Sequence, residues 1–175
     1  MTVITQVHII EDTEAVGVAT PVFQEFIDTR GSVPEWARVM AHRPEILATF
    51  YALFKATMGP GLVEQDNKWK IAYKVSKLNG CAYCVGVTEA MMKKLGVSDE
   101  DMRLVDTDIA QMSPDEQIAV RYAEAVTKNA LEVPEEIYTE LNVHYNDGQI
   151  VELTAAIGLF NYINRFNDAL GVMPR

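Results

Sequence analysis

The stretch Lys77–Ala90, KLNGCAYCVGVTEA, contains both cysteines of the chain, spaced Cys-x-x-Cys. Its Asn79-Gly80 step is typical of a helix end, and a new apolar helical pattern begins directly after it. The spacing therefore predicts that Cys81 and Cys84 lie in the first turn of a helix. At that position the unpaired backbone N–H groups and the helix dipole favour an anion, so a thiol is shifted toward its thiolate form.

A spacing of two residues brings both sulfur atoms within disulfide range on one helical turn, as in redox motifs. A structural zinc site needs four ligands, and His8, His42 and His144 show no second paired spacing. The pattern favours a redox pair over half of a metal site, so we expect neither a metal nor a cofactor. Lys77 stands one turn before Cys81 and is a candidate auxiliary residue if its side chain folds back over the junction.

Composition favours one compact domain. The chain has 175 residues, of which 49% are apolar and 23% charged, a profile that supports a sizeable core. We therefore predict a single domain over residues 1–175. With no leader pattern and no apolar segment of the ~20 residues that a membrane span needs, we expect a cytoplasmic protein without a membrane partner.

Charge argues against a nucleic-acid partner. The formal net charge is -10 and the pI is near 4.7, so phosphates would be repelled unless basic residues were gathered locally. The nearest such gathering is a run of lysines in one predicted helix. We interpret this run as a solvated helix face rather than a nucleic-acid groove; it comprises Lys68, Lys70, Lys74 and Lys77.

The fold class predicted is all-α. The first stretch, TVITQVHII, alternates and is β-branched, so it is read as a short strand or an extended arm over residues 1–12. After it the pattern is helical, with a stop at Gly31, a break near Pro44 and helix starts at Ser98 and Ser113. Ser113 is followed by Pro114 and, three residues on, by Glu116, which is a capping box.

The last predicted helix, IVELTAAIGLFNYINRFNDALGV, is apolar almost all round and is expected at the centre of the fold or at a subunit contact. Asn161, Asn164 and Asn167 recur along it at every third position. Buried amides need hydrogen-bond partners. We interpret the three asparagines as a structural ladder that fixes helix register, in preference to a direct chemical role.

Three segments in order, KLNGCAYCVGVTEAMMKKLGVSDEDM, SPDEQIAVRYAEAVTKN and DGQIVELTAAIGLFNYINRFNDALGV, resemble the alkylhydroperoxidase D-like branch of the carboxymuconolactone decarboxylase superfamily. RGSVPEWARVMAHRPEILATFYALF resembles its peroxidase-related subfamily, so the similarity extends over residues 10–173. The resemblance implies a helical domain that assembles as a homotrimer or homohexamer. It also implies a cysteine pair that reduces peroxides and is restored by an external dithiol.

The sequence departs from the family pattern at two positions. Active members place a glutamate twelve residues before the first cysteine and a histidine four after the second, and these form a proton relay; here the positions hold Trp69 and Thr88. The Thr88 hydroxyl is one turn after Cys84 and within reach of its sulfur, but a hydroxyl is no base near pH 7. Trp69 is expected to fill the core, and Tyr83 to serve packing or an interface rather than act as an acid.

The resemblance implies that Cys84 attacks the peroxide and that Cys81 resolves the product as a disulfide. Loss of a general base costs roughly 10²–10⁴-fold in rate, so a weakened peroxidase is predicted, with His42 and His144 as the less favoured substitutes for the base.

The alternative is a non-enzymatic helical oligomer that senses redox state or binds a small ligand. A decarboxylase of lactone acids is disfavoured because the candidate arginines, Arg38, Arg43, Arg121 and Arg165, show no common location.

Overall fold

The structure is a computed structural model that describes residues 5–173. This range contains nine α-helices and no strand, so the all-α prediction is confirmed. The helices are α1 (Ala19–Arg30), α2 (Glu35–Met40), α3 (Pro44–Met58), α4 (Gln65–Asn79), α5 (Ala82–Lys94), α6 (Asp99–Thr107), α7 (Pro114–Asn129), α8 (Glu135–His144) and α9 (Asp147–Leu170), with short 3-10 turns at Asp12–Glu14 and Ile109–Gln111.

The chain divides into two compact units. The first combines Met1–Ala56 with Phe166–Arg175, and the second is Thr57–Arg165. The expectation of one domain over residues 1–175 stays a prediction.

The N-terminal strand alternative is wrong for the residues that the structure describes, and residues 1–4 lie outside them. Residues 5–10 have no strand pairing. The backbone N–H of Gln6 donates to the carbonyl of Leu170 at 2.9 Å, and the Thr5 hydroxyl donates to the carbonyl of Gly171 at 3.2 Å. The segment is thus an arm held by isolated hydrogen bonds to the C-terminal residues of its own unit.

In the first unit an aromatic cluster fills the core. Phe26 meets Trp36 edge-on at 5.7 Å and Tyr51 at 4.5 Å between ring centroids. Beside it the buried Arg38 guanidinium forms an ion pair with Asp12 at 2.6 Å and donates to the carbonyls of Val33 and Ile10. Arg38 thereby fastens the N-terminal segment to α2.

In the second unit α4 is central and packs against α5, α6 and α7. The predicted solvated face is wrong for Lys68, which is fully buried, and for Lys70, which is 6% exposed. Lys74 is partly buried and Lys77 is exposed, and each lysine of the run pairs with a carboxylate. The pairs are Lys68 with Glu152, Lys70 with Asp66 and Glu116, Lys74 with Glu124, and Lys77 with Asp106. The lysines therefore join α4 to the neighbouring helices α6, α7 and α9.

The predicted helix ends agree with the structure where local chemistry fixes them. Gly80 takes the left-handed conformation (φ 75°) that ends α4, a backbone geometry that glycine adopts at little cost. Ser113 and Glu116 form the predicted capping box, with Pro114 at the first position of α7.

Within the second unit α9 has one buried and one exposed face. Leu153 and Ile157 are fully buried, whereas Val151 is 67% and Tyr162 46% exposed. The part of α9 in this unit is thus buried along one stripe rather than all round. Over residues 5–173, none of the helices combines the length and apolarity needed to cross a membrane.

Candidate active site

The turn between α4 and α5 places both cysteines. After Gly80 ends α4, the backbone N–H of Cys81 donates to the carbonyl of Ser76 at 3.1 Å. Cys81 then has extended backbone geometry and is the N-cap of α5, and its sulfur accepts from the N–H of Cys84 at 3.4 Å. The sequence prediction that the pair begins a helix is confirmed.

Cys81 and Cys84 form a disulfide, and their Cα atoms are 5.3 Å apart, within the range that a disulfide requires. Cys81 is fully buried and Cys84 is 2% exposed. The amide dipoles of α5 favour a thiolate here, while burial opposes any charge. The two cysteines therefore form a dithiol and disulfide pair, a two-electron redox couple, at a position that is largely shielded from solvent.

Thr88 lies on the same buried face of α5 as the two sulfurs, with Met92 one turn further on. Its hydroxyl is directed to the carbonyls of Cys84 and Val85, both at 2.9 Å. Trp69 is 3% exposed, and its ring packs edge-on against Phe160 at 5.8 Å between centroids, as expected for core filling. Neither relay position holds a side chain that titrates near neutral pH.

Lys77 is engaged by Asp106 on α6, with its ammonium 3.1 Å from the carboxylate and 5.8 Å from the centroid of the Tyr73 ring. The hydrogen bond with Asp106 is the main reason that the pKa of Lys77 lies above its ordinary value, so the side chain stays cationic at neutral pH. Tyr83, between the cysteines, is 6% exposed. Auxiliary roles for Lys77, Tyr83, Thr88 and Trp69 stay predictions.

Asn79 is a site residue that the sequence analysis read only as a helix stop. Its side-chain nitrogen donates to the side-chain oxygens of Asn161 at 3.1 Å and Asn164 at 3.0 Å. Two of the three asparagines of α9 thus make structural hydrogen bonds of the kind predicted, while the third, Asn167, is buried in the other unit. Two features of the sequence could have indicated this contact: the amide of Asn79 directly before the cysteine turn, and the repeated asparagines of the last helix.

The two histidines considered as substitute bases have other positions. His42, in the first unit, bonds through its ring nitrogen to the carbonyl of His8 at 2.8 Å. His144 is exposed and lines a cavity of about 350 Å³ in the second unit, beside Asp66, Glu116 and Tyr145. That cavity is lined mainly by polar side chains, whereas a second cavity of about 360 Å³, beside Ala125, Pro134 and Ile137, is more apolar. Among the described residues no cluster of three or more His, Cys, Asp or Glu side chains is arranged to hold a metal ion.

Comparison with known proteins identifies the same family. The model of the carboxymuconolactone decarboxylase family matches residues 44–129. The uncharacterized protein YdfG of Bacillus subtilis is 30% identical over 112 residues, which are 62% of this chain and 76% of YdfG.

Solved structures have the same fold. An uncharacterized peroxidase-related protein from Ralstonia eutropha with an alkylhydroperoxidase AhpD core superimposes with a TM-score of 0.87 at 23% identity, over 98% of this chain and 92% of that one. The debrominase Bmp8, also solved as a cysteine variant with 2,3,4-tribromopyrrole, gives a TM-score of 0.79 at 23% identity, over 90% of this chain and 86% of its own.

The helical fold is that of the alkylhydroperoxidase AhpD core. The chain belongs to the carboxymuconolactone decarboxylase superfamily, in its alkylhydroperoxidase D-like branch.

Proposed function

We propose that this protein is a thiol-dependent, peroxidase-like oxidoreductase that reduces hydroperoxides through a Cys81–Cys84 dithiol and disulfide cycle. The observation that carries the proposal is the disulfide at the N-terminus of α5. A helix start favours the thiolate, which is the nucleophilic form of cysteine. A second cysteine three residues away resolves the oxidised first one before further oxidation.

The cycle balances in three steps. The Cys84 thiolate attacks one peroxide oxygen, the O–O bond breaks, and the alkoxide leaves as an alcohol after taking a proton, which gives a sulfenic acid at Cys84. The Cys81 thiolate then attacks the Cys84 sulfur, the S–S bond forms and hydroxide leaves as water. An external dithiol reduces the disulfide by two exchange steps and is itself oxidised.

Trp69 and Thr88, at the two relay positions, determine the rate of peroxide reduction that we expect. Trp69 packs in the core and the Thr88 hydroxyl is bonded to backbone carbonyls, so neither activates the Cys84 thiol as a base. A missing general base lowers the rate roughly 10²–10⁴-fold. We therefore expect slow turnover that rises with pH as the thiolate fraction rises.

Trapping the intermediate tests the assignment of the two cysteines. In Cys81→Ser the resolving thiol is gone, so peroxide is expected to leave a sulfenic acid at Cys84 that a dimedone-type reagent labels, as read by mass spectrometry. Cys84→Ser is the matched control and should give no label at Cys81. Equal labelling of the two variants would contradict the assignment.

Burial of the two sulfurs favours a second candidate, a non-enzymatic redox sensor or fold element. With Cys84 only 2% exposed, access for a peroxide requires movement of the first turn of α5. A sensor would form its disulfide slowly and show no multiple turnover with excess dithiol. Steady peroxide consumption over many equivalents excludes this candidate.

The likeness to a debrominase motivates a third assay, in which the same dithiol would reduce a carbon–halogen bond. The Cys84 thiolate would take the halogen, the carbanion left on the ring would take a proton, and Cys81 would expel halide as the disulfide forms. Bromide release from 2,3,4-tribromopyrrole, compared between wild type and Cys84→Ser, tests this substrate class. Turnover of the bromopyrrole without turnover of hydroperoxides would replace the proposed substrate.

We also propose that the chain assembles as a homotrimer or homohexamer in the cytoplasm, without nucleic acid or membrane partners. The exposed apolar residues Val151 and Tyr162 on α9 support self-association. Light scattering at micromolar concentration is expected to give a mass of three or six chains. A monomer would contradict the assembly without affecting the cysteine chemistry.

A further inference from the structure

The turn that presents Cys81 is anchored by neutral amides. Asn79 donates from one side-chain nitrogen to Asn161 at 3.1 Å and to Asn164 at 3.0 Å. Asn164 is fully buried and donates in turn to the Ser76 hydroxyl at 3.2 Å. The last turn of α4 is therefore tied to α9 through side chains two and five residues before Cys81.

The same network reaches the cysteine backbone. Ser76, which accepts from Asn164 through its hydroxyl, also accepts from the N–H of Cys81 through its carbonyl at 3.1 Å. Gly80, the residue with the greatest backbone freedom in this turn, is thus flanked by two anchored positions. As a result α9 fixes where Cys81 stands relative to the first turn of α5.

We propose that Asn79 is a positioning residue that, with Asn161 and Asn164, sets the equilibrium between the dithiol and disulfide forms of Cys81 and Cys84. Closure of a disulfide depends on the effective concentration of one sulfur at the other, which falls when the backbone between them is free to move. The amides anchor the residues directly before Cys81, and the two Cα atoms lie 5.3 Å apart, inside the disulfide range. We expect this anchoring to favour the oxidised form. This inference rests on the proposed redox cycle, but it concerns an equilibrium rather than peroxide chemistry.

The test is a glutathione titration, in which the protein disulfide and two glutathione thiols exchange with the protein dithiol and one glutathione disulfide. Asn79→Ala removes both donated hydrogen bonds, and because Asn79 is only half-buried at a helix end and alanine is a strong helix former, the variant is expected to fold. We expect the exchange constant to shift about tenfold toward the dithiol, a reduction potential less negative by about 30 mV. Asn79→Ser, whose side chain is too short to reach both acceptors, should shift it in the same direction.

Thr127→Val is the matched control. It removes the hydroxyl that accepts from the Asn161 amide at 3.1 Å, so it costs the same cluster a hydrogen bond of the same kind and leaves both bonds from Asn79 in place. If Asn79 only stabilised the fold, Thr127→Val and Asn79→Ala would shift the exchange constant equally whenever they lower the melting temperature equally. We expect the exchange constant of the control to stay within about twofold of the wild-type value. That is well short of the tenfold change, ~30 mV in reduction potential, expected for Asn79→Ala.

An unchanged constant in both Asn79 variants, or an equal shift in the control, overturns the inference. Because no peroxide enters the titration, the two proposals fail separately. A wild type without peroxidase activity whose exchange constant still moves in Asn79→Ala sinks the proposed function alone. A peroxide-active wild type whose constant does not move in the variants sinks the positioning role alone.

Discussion

Lys68 near the start of α4 and Asn79 at its end both bind α9, the first with a buried ion pair and the second with neutral amides. Lys68 pairs with Glu152, whose carboxylate also accepts from the backbone N–H of Leu62 at 2.7 Å. Asn79 reaches Asn161 and Asn164. One helix is thus fastened at its two ends by contacts of different electrostatic character.

The difference follows from what lies beside each contact. The ion pair stands next to the loop between α3 and α4, where Lys68 also donates to the carbonyl of Gly59 at 2.6 Å, and it fixes this loop. The amides stand next to the cysteine turn, where a fixed charge would bias the thiol and thiolate forms. The amides hold the turn without adding a charge to it, and the nearest charge on α4 is that of Lys77, which pairs with Asp106.

The largest effect is expected at the charged end. Lys68→Met leaves the Glu152 carboxylate largely buried without its cation, and breaking a buried pair in this way costs about 3–5 kcal/mol. Urea denaturation of the wild type and the variant measures the loss. Lys93→Met, which removes a cation from an exposed pair with Asp99, is the control and should change stability little. Equal losses in the two variants would contradict the account of the buried pair.

A smaller loss is expected from Gly61→Ala. A Cβ atom at Gly61 would collide with the Glu152 carboxylate, which Lys68 and Leu62 hold in place; overpacking of this kind costs about 1–3 kcal/mol. Gly86→Ala in α5, where a Cβ atom meets nothing within 4 Å, should instead be neutral or stabilising. Thermal melting of both variants checks the contrast, and a Gly61→Ala protein as stable as wild type would argue that the loop is free to shift.

A graded effect is expected in acid. Burial raises the pKa of Glu152, but the hydrogen bonds from Lys68 and Leu62 outweigh it, so the pKa lies below the ordinary value of 4.5. A lowered carboxyl pKa contributes stability that is fully present above the unfolded value and is lost as pH falls through the folded one. Unfolding free energies between pH 7 and pH 3 should therefore fall below about pH 4.5, and fall less steeply in Glu152→Gln. The amide end does not titrate, so Asn79→Ala should keep the wild-type pH slope.

Sequence reasoning succeeded where short-range chemistry decides the structure. Gly80 and the Ser113 capping box fix helix ends through residues at most four positions away. The position of the cysteine pair at the start of α5 follows from the helix end at Gly80. It failed for Lys68 and Lys70, because the carboxylate that pairs with Lys68 lies 84 residues later in the chain. The acceptors of Asn79 are similarly 82 and 85 residues away, so its role in holding the cysteine turn is visible only in the folded chain.

The N-terminal segment shows the same limit. Its alternating pattern predicted a short strand or an extended arm. Thr5 bonds to a residue 166 positions away, and no neighbouring strand is present in the described range to complete a ladder. A β-branched alternation favours extended backbone, but a strand also needs a partner edge. The strand alternative was therefore wrong for the described residues of this segment, which is held by isolated hydrogen bonds.

The most direct test of the central claim is stoichiometric. The reduced protein receives one equivalent of cumene hydroperoxide or hydrogen peroxide, and stopped flow follows free thiols and peroxide together from pH 5 to pH 9, in wild type and in Cys84→Ser. The account predicts the loss of two thiols per peroxide in wild type, faster than for free cysteine, with a midpoint below the free-cysteine pKa of about 8.5, and none of this in the variant. Thiol loss no faster than that of free cysteine, or unchanged in Cys84→Ser, would contradict it.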